Sequence, residues 1–152
     1  MSEYIRNMRS IIEKSPLLLV GSSVIAINNN QVLLQKRADT HVWGYPGGCM
    51  ELGESPEETA KREFYEETGF EANSIKLYGV FAGEHRHYIY ANEDEVYITD
   101  IDYVCDNFTI TEKQHDNEVL ELKWFPFNEI PENLSPTIKD ILLGFIRNYT
   151  KI

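Results

Sequence analysis

The sequence predicts an α/β sandwich built around a mixed β-sheet. After a short first helix, a hairpin-like pair of strands comes first, a capped helix follows, and further strands lead to a final helix. The chain has 152 residues, a length that fits one domain able to bury a full hydrophobic core. We therefore expect a single domain over residues 1–152, in which residues 1–16 form an N-terminal helical extension.

The first third of the chain predicts a helix and a hairpin. Apolar residues recur at helical spacing over residues 3–14, and the proline that follows ends this helix. Residues 17–27 and 31–37 are apolar and β-branched, so they predict two strands joined by a turn of asparagines. Residues 38–53 are rich in glycine and show little periodicity, which is typical of a loop with short strand pieces.

The clearest helix lies in the middle of the chain. Ser55 is a natural N-cap, Pro56 suits the first helical position, and Glu58 completes a capping box. Gly69 suits a left-handed C-cap that closes the helix. The other predicted elements are strands over residues 74–82, 95–105 and 120–124, a link over residues 85–94 with a turn at Asn92, and a last helix that opens at Ser135-Pro136.

The charge of the chain excludes several kinds of partner. Fourteen basic and twenty-five acidic residues give a formal net charge of −11, which repels nucleic acid and anionic lipid. We therefore expect neither a nucleic-acid nor a membrane partner, and a phosphate-bearing substrate would need a divalent cation to offset the repulsion. With only Cys49 and Cys105 as cysteines and no long apolar run, a cytoplasmic protein with reduced thiols is the simplest interpretation.

Three carboxylates on the central helix predict a metal site. Glu63, Glu66 and Glu67 share one helix face, where like charges weaken a helix unless a cation binds them. Mg²⁺ binds through a few carboxylates together with substrate phosphates, and carbonyl groups of the preceding Gly47-Gly48 turn would add oxygen ligands. The alternative is a solvated acidic face, which is the more common explanation of a charge run.

The same segment resembles the signature of the Nudix hydrolase superfamily. The matching positions are Gly48, Glu54, Arg62, Glu63, Phe64, Glu66, Glu67, Gly69 and Phe70. The resemblance implies the Nudix α/β/α sandwich over about residues 17–148. It also implies hydrolysis of a nucleoside diphosphate linked to another moiety, with Mg²⁺ or Mn²⁺ as cofactor. By this resemblance the metal ligands are Glu63, Glu66, Glu67 and the carbonyl of Gly47, and water attacks a phosphorus atom.

The resemblance also assigns two supporting roles. Arg62 is expected to form an ion pair with Glu54 or another carboxylate of the signature rather than to touch phosphate. Many family members use a further glutamate on a loop before a late strand, as a base or a metal ligand. Glu118 lies at such a loop–strand junction and is favoured, whereas Glu121 is expected to face solvent.

Three residues are candidates for contacts with the substrate. Tyr88 stands 18 residues after Phe70, close to the spacing of a tyrosine in some Nudix hydrolases of diadenosine polyphosphates. His87 would share a strand face with His85 and suit a phosphate, although a polar hairpin edge is the commoner explanation. Arg37 ends a strand before the loop and would meet a phosphate, unless it pairs with Asp39.

Two other functions are alternatives to the hydrolysis of a small nucleotide. A non-catalytic nucleotide-binding or sensor module would show a broken signature or an added domain, and the signature is whole. Processing of RNA 5′ ends would require a basic track, which the net charge of −11 disfavours. The small-molecule substrate and the oligomeric state stay open, and the amphipathic N-terminal helix is a candidate contact for a homodimer.

Overall fold

The computed structural model describes residues 2–149. Three α-helices and eight strands lie in this range. In chain order they are α1 (Glu3–Ile12), β1 (Leu17–Asn28), β2 (Gln31–Arg37), β3 (Trp43–Gly44), β4 (Gly47–Cys49), α2 (Pro56–Thr68), β5 (Phe70–Phe81), β6 (His87–Ile89), β7 (Glu95–Ile110), β8 (Val119–Pro126) and α3 (Lys139–Tyr149).

The strands of this range form one mixed sheet. Its main path runs β3-β2-β1-β7-β5, while β4 pairs with β1, β6 with β7 and β8 with β2. The pairing of β1 with β7 is parallel and continuous from Leu17–Val96 to Ala26–Cys105. The other strand pairs are antiparallel. The mixed sheet predicted from the order of elements is therefore confirmed.

The helices cover both faces of the sheet. Alternate residues of β1 point to opposite faces, so Val24 packs with Phe64 of α2 whereas Ile25 packs with Phe145 of α3. Helix α1 covers the start of β1, where Met8 lies against the cluster that contains Leu17 and Leu19. The predicted α/β/α sandwich is confirmed, and α1 is part of its packing.

β5 and β7 extend well beyond the bounds that the sequence predicts, and β8 is also longer, spanning Val119–Pro126. β5 begins at Phe70 rather than at residue 74, and β7 continues to Ile110 rather than ending at residue 105. Gly69 takes the left-handed conformation, with a φ of 78°, and turns the chain directly from α2 into β5. Each strand then extends the other, because Phe70 pairs with Ile110 and the side chain of Asn73 bonds to that of Asn107.

The predicted link over residues 85–94 contains structure of its own. Glu84–Arg86 forms a single 3₁₀ turn and β6 follows it, so the prediction that His85 and His87 share a strand face is wrong. The predicted turn at Asn92 is confirmed by the hydrogen bond from the N–H of Tyr90 to the carbonyl of Asp94. This turn is held to the N-terminal extension by Lys14, whose Nζ lies 2.8 Å from Asp94.

The last helix starts later than its cap signal predicts. The carbonyl of Ser135 accepts hydrogen bonds from the N–H groups of both Ile138 and Lys139, so a turn comes first and α3 begins at Lys139. Ile138, Leu142 and Phe145 are buried, as the apolar spacing predicts. Among residues 2–149, no helix is long and apolar enough to span a bilayer.

Candidate active site

Helix α2 is fixed at both ends and along its buried face. Ser55 and Glu58 form the complete capping box that the sequence predicts. The hydroxyl of Ser22 on β1 donates to the carbonyl of Pro56, and Ala60 and Phe64 are fully buried against the sheet. The helix is therefore held against the sheet, with Glu63 and Glu67 directed towards the glycine strand β4.

Glu67 is the most deeply buried of the three helix carboxylates. Glu67 is 5% exposed, and its Oε2 atom accepts a hydrogen bond from the N–H of Gly47 at 2.9 Å. Burial, together with the negative charge of Glu63, raises the pKa of Glu67 to about 8, although hydrogen bonds from Gln35 and Gly47 act in the opposite direction. Without a cation, this carboxyl group holds a proton at neutral pH.

Glu63 lies against the next glycine of the same strand. A Cβ built on Gly48 would lie 2.5 Å from the carboxyl carbon of Glu63, so only glycine leaves room for this side chain. Burial raises the pKa of Glu63, and the charges of Glu66 and Glu118 add to the effect, whereas Arg62 opposes it. Glycine at residue 48 therefore lets a carboxylate approach the backbone of β4 closely.

Arg62 holds the acidic residues of the signature together. Its Nε and Nη2 atoms donate to the two oxygens of Glu54 at 2.6 and 2.9 Å, which gives the ion pair expected from the sequence. Its Nη1 atom donates to Glu63 at 2.9 Å and to Glu66 at 3.3 Å. The hydrogen bonds from Arg62 lower the pKa of Glu54 to about 2, and the carboxylates in turn raise the pKa of Arg62.

Arg37 at the end of β2 and Glu118 just before β8 are near enough to the helix carboxylates for their charges to interact. The alternative given for Arg37, a pairing with Asp39, is present, because Arg37 donates to both oxygens of Asp39 at 2.9 and 2.8 Å. The charges of Glu67 and Glu118 raise the pKa of Arg37 further. Glu118 is positioned by its backbone, because its N–H donates to Asp116 Oδ1 and its carbonyl accepts from Ala38. The structure thus brings Arg37 and Glu118 into the electrostatic field of the helix carboxylates.

Two further residues, Gln35 and Asp116, act on Glu67 and were not predicted from the sequence. Gln35 is buried and hydrogen-bonds Glu67, and its Oε1 atom has no partner among the described residues. Asp116 lies close enough for its charge to raise the pKa of Glu67. The position of Gln35 within the apolar pattern of β2 could have indicated a buried polar group. Nothing in the sequence distinguishes Asp116 from other loop aspartates.

The contacts that the structure shows for the other two substrate candidates are with residues other than the helix carboxylates. Tyr88 packs with the α1 cluster, and the guanidinium of Arg86 lies 5.7 Å from its ring centre. His87 is 2.7 Å from Glu95 and stacks on Tyr97, with ring centres 4.5 Å apart. Of the three substrate candidates, only Arg37 stands beside the helix carboxylates.

A divalent cation fits this arrangement only with help from the substrate. In the part of the chain that the structure describes, no three His, Cys, Asp or Glu side chains form a ready metal cage. Glu67, however, is a buried carboxylate next to a glycine backbone, with Glu63 beside it. Mg²⁺ typically takes one or two carboxylates plus water and substrate phosphates, so the donor set of β4 and α2 fits such an ion.

Both cysteines are free thiols. Burial, followed by the nearby charge of Asp100, raises the pKa of Cys49 to about 11. Such a thiol stays protonated at neutral pH and makes a poor nucleophile, so Cys49 acts as a small packed side chain.

Comparison with known proteins identifies the family. The NUDIX domain model matches residues 18–145 of this chain. The chain belongs to the NUDIX family. The match covers the whole sheet except the first residue of β1, as well as α2 and most of α3, and it leaves out α1.

Solved structures share the fold. The MutT NUDIX hydrolase from Burkholderia pseudomallei superimposes with a TM-score of 0.70 at 23% identity, covering 84% of this chain and 97% of that one. The Mutator MutT protein from Bacillus halodurans gives a TM-score of 0.69 at 26% identity, covering 84% and 82% of the two chains. The fold is therefore the Nudix α/β/α sandwich that the signature implies.

Curated relatives are similar over smaller shares of their length. A nucleoside triphosphate pyrophosphatase/Nudix hydrolase fusion protein from Bifidobacterium longum is 30% identical over 121 residues, which are 77% of this chain and 24% of that protein. A putative 8-oxo-dGTP diphosphatase from Bacillus subtilis is 47% identical over 62 residues, 40% of this chain and 42% of that protein. The matched regions thus span less than half of these relatives.

Proposed function

We propose that this protein is a divalent-metal-dependent pyrophosphohydrolase of nucleotides. The observation that supports this most strongly is the buried carboxylate of Glu67, bonded to the N–H of Gly47 and flanked by Glu63. A buried carboxylate with this pKa is costly to ionise unless a cation joins it, and the absence of a side chain at Gly48 lets the carboxylate of Glu63 lie close by. The intact family signature supports catalysis over a purely structural role.

The residues of the site divide the chemistry between them. Glu63, Glu66, Glu67 and the carbonyl of Gly47 would hold Mg²⁺ or Mn²⁺. When bound, such an ion polarises phosphoryl oxygens and lowers the pKa of the attacking water. Glu118 accepts the proton of that water as its oxygen bonds to phosphorus and the bridging P–O bond breaks.

The two arginines of the site have different roles, one towards the substrate phosphate and one towards the carboxylates. Arg37, held by Asp39 at the edge of the carboxylate cluster, would bind a phosphate of the substrate. Arg62 keeps Glu54, Glu63 and Glu66 in place and does not need to touch substrate. We propose a substrate in which a nucleoside diphosphate is linked to a phosphate, a second nucleotide or a similar group.

The relatives narrow the first substrates to test. One curated relative is named a putative 8-oxo-dGTP diphosphatase, and others from Psychromonas ingrahamii and Vibrio atlanticus are named RNA pyrophosphohydrolases. The net charge of −11 disfavours a long RNA substrate here, because a polyanion gains affinity from basic groups. A free nucleoside triphosphate or dinucleoside polyphosphate fits the charge better once Mg²⁺ accompanies it.

The deciding experiment is a substrate panel with a matched pair of variants. Purified protein is incubated with Mg²⁺ and with (d)NTPs, oxidised dGTP, dinucleoside polyphosphates, ADP-ribose and nucleotide sugars. The products are separated by chromatography and identified by mass. Glu67→Gln should abolish turnover, whereas Glu57→Gln, an exposed change on the same helix, should not. Nucleotide binding without hydrolysis by the wild-type protein would support the sensor alternative, and full activity of Glu67→Gln would remove the proposed metal site.

We also propose that the protein forms a homodimer, although not through α1. Ile5, Met8 and Ile12 of α1 pack inwards, against the cluster around Leu17. Exposed apolar side chains lie instead on strands of the sheet face that α2 covers only in part. They are Leu18, Val20, Leu77, Val80, Ile89 and Tyr97. Sedimentation velocity of the wild type and of Val80→Asp tests this, since a monomeric wild type would contradict the proposal.

We place the protein in the cytoplasm. Both thiols are free, and a reducing compartment keeps buried thiols such as Cys105 in this state. Microscopy of a fluorescent fusion checks the location.

A further inference from the structure

A buried hydrogen bond lies on the side of the glycine strand that faces away from α2. The hydroxyl of Tyr45 donates to Asp102 Oδ2 at 2.8 Å. Tyr45 is 5% exposed and Asp102 is completely buried, and the two are 57 positions apart in the chain. Tyr45 stands two residues before Gly47, whose carbonyl is a proposed metal ligand.

The sheet register connects this bond directly to the metal site. Asp102 of β7 lies beside Ser23 of β1, and Ser23 pairs with Gly47 of β4. The three residues therefore form one row across the sheet. Tyr45 precedes β4, and its hydroxyl group bonds to Asp102 at the far end of this row, so it ties the chain just before Gly47 to β7.

Backbone pairing with β1 holds β4 on one side and includes the hydrogen bond from the N–H of Val24 to the carbonyl of Pro46, but β4 has few side-chain contacts of its own. β4 is three residues long, and its first two residues are glycines without side chains. Glycine also has the largest backbone freedom of all residues. From the α2 side, β4 is held by the bond between Gly47 and Glu67. From the other side, the Tyr45–Asp102 bond and the buried ring of Tyr45 hold the segment that leads into it.

Keeping the carboxylate of Asp102 buried costs stability. The guanidinium of Arg86 pairs with Asp100, and among the described residues the hydrogen bond to the carboxylate of Asp102 comes from Tyr45. The Oδ1 atom of Asp102 has no partner among the described residues. An apolar pair of similar volume would usually be neutral or stabilising at such a place. The retention of a buried carboxylate here is therefore better explained by the position that it imposes on its partner.

We propose that the Tyr45–Asp102 hydrogen bond positions the backbone of Gly47 for metal binding. Asp102 and Tyr45 are positioning residues, because they act through β4 and touch neither metal nor substrate. The inference rests on the proposed function, since it assumes that Gly47 is a metal ligand. Residues that orient metal ligands typically change metal affinity or activity 10- to 100-fold when they are mutated.

The test uses direct metal binding as well as activity. Mn²⁺ binding is measured by calorimetry on folded protein for Tyr45→Phe, Asp102→Leu and Asp102→Asn. Tyr45→Phe and Asp102→Leu should each weaken Mn²⁺ binding about 10- to 100-fold, and the double variant should lose no more than either single variant. Asp102→Asn keeps an oxygen that accepts from Tyr45, so it should restore binding to within a few-fold of the wild type.

The controls separate this effect from a general loss of structure. Asp106→Asn on the same strand and Tyr97→Phe on the open sheet face should leave Mn²⁺ affinity unchanged. The double variant Tyr45→Phe/Asp102→Leu removes both buried polar groups together, so its thermal midpoint at pH 8 should equal or exceed that of the wild type. A weaker metal site in a more stable protein cannot be explained by unfolding.

The outcomes distinguish this inference from the proposed function. Wild-type Mn²⁺ affinity in both Tyr45→Phe and Asp102→Leu, with a loss in Glu67→Gln, overturns the positioning role alone. Asp102→Asn behaving like Asp102→Leu also overturns it, because the charge rather than the hydrogen bond would then matter. If Glu67→Gln binds Mn²⁺ as the wild type does, the metal site itself is wrong and the inference falls with it.

Discussion

Glu67 and Gly47 are joined by a hydrogen bond that ties the carboxylate helix to the glycine strand. The N–H of Gly47 donates to Glu67 Oε2 at 2.9 Å, across 20 positions of the chain. Glu67 also accepts a hydrogen bond from Gln35, so its carboxylate is held by both β4 and β2. The relationship has consequences for stability, for metal binding and for the tolerance of the strand to substitution.

The stability of the metal-free protein should fall as the pH rises. The pKa of Glu67 is about 8 in the folded protein and near 4.5 when unfolded, so the folded state binds more protons between these values. Unfolding free energy should therefore decline from about pH 4.5 to pH 8 and level off above. At roughly 1.4 kcal/mol per pKa unit, the decline from this group is up to about 5 kcal/mol.

Glu67→Gln isolates this contribution, since Glu63 and Asp102 also have raised pKa values and act in the same direction. Urea unfolding of wild type and Glu67→Gln at a series of pH values gives the difference curve. The variant should gain on the wild type as the pH rises, and saturating Mg²⁺ should restore the wild type only. Parallel curves would mean that Glu67 titrates normally.

Substitution of Gly48 should disable the site without unfolding the protein. In Gly48→Ala, the added Cβ would lie 2.5 Å from the carboxyl carbon of Glu63, so the carboxylate must move. A displacement of about 1 Å at reacting groups can cost 100-fold in rate, and we expect kcat/KM to fall by at least that factor. The matched change Gly144→Ala in α3 meets its first neighbour at 3.9 Å and should leave kcat/KM unchanged.

The part of the site that could be predicted from sequence is the part that is local in the chain. The cap of α2, the shared face of its glutamates and the ion pair of Arg62 depend on spacings of one to eight residues. These contacts follow from helix geometry alone.

The contacts that sequence reasoning did not find join distant segments. Gln35 meets Glu67, and Tyr45 meets Asp102, only because β2, β4 and β7 come together in the sheet. The same limit explains the strand ends: residues 70–73 and 106–110 have weak strand character of their own and become extended by pairing with each other. His85 and His87 were predicted to share a strand face from their spacing, but spacing does not show that residues 84–86 form a 3₁₀ turn before β6 begins.

Arg62 should be sensitive even to a conservative change. Its guanidinium donates two bonds to Glu54 and one each to Glu63 and Glu66, and a lysine has a single point charge that cannot reproduce this fork. Arg62→Lys should therefore lower kcat/KM about 10- to 100-fold and raise the Mg²⁺ concentration needed for half-maximal activity. The neighbouring change Lys61→Ala removes only an exposed ion pair with Glu57 and should have no effect on either quantity. Equal activity of Arg62→Lys and wild type would show that the carboxylates hold their positions without Arg62.

The two glutamates near the start of β8 should differ sharply in their effect on turnover. The backbone of Glu118 is fixed by Asp116 and Ala38, and its charge acts on Glu63 and Arg37. Glu121 is exposed, and its charge is not among the main causes of the pKa shifts of Arg37, Glu63 and Glu67. If Glu118 accepts a proton in the transition state, Glu118→Gln should reduce kcat by about 100- to 10,000-fold with little change in KM.

Glu121→Gln is the matched control for this measurement, because it makes the same chemical change on the same strand. Steady-state kinetics at saturating Mg²⁺ separate the two parameters for both variants. A rise in KM with kcat unchanged in Glu118→Gln would make Glu118 a substrate- or metal-binding group rather than a base. A loss of kcat in Glu121→Gln instead would move the base to a residue that the structure places in solvent, and would require β8 to shift when substrate binds.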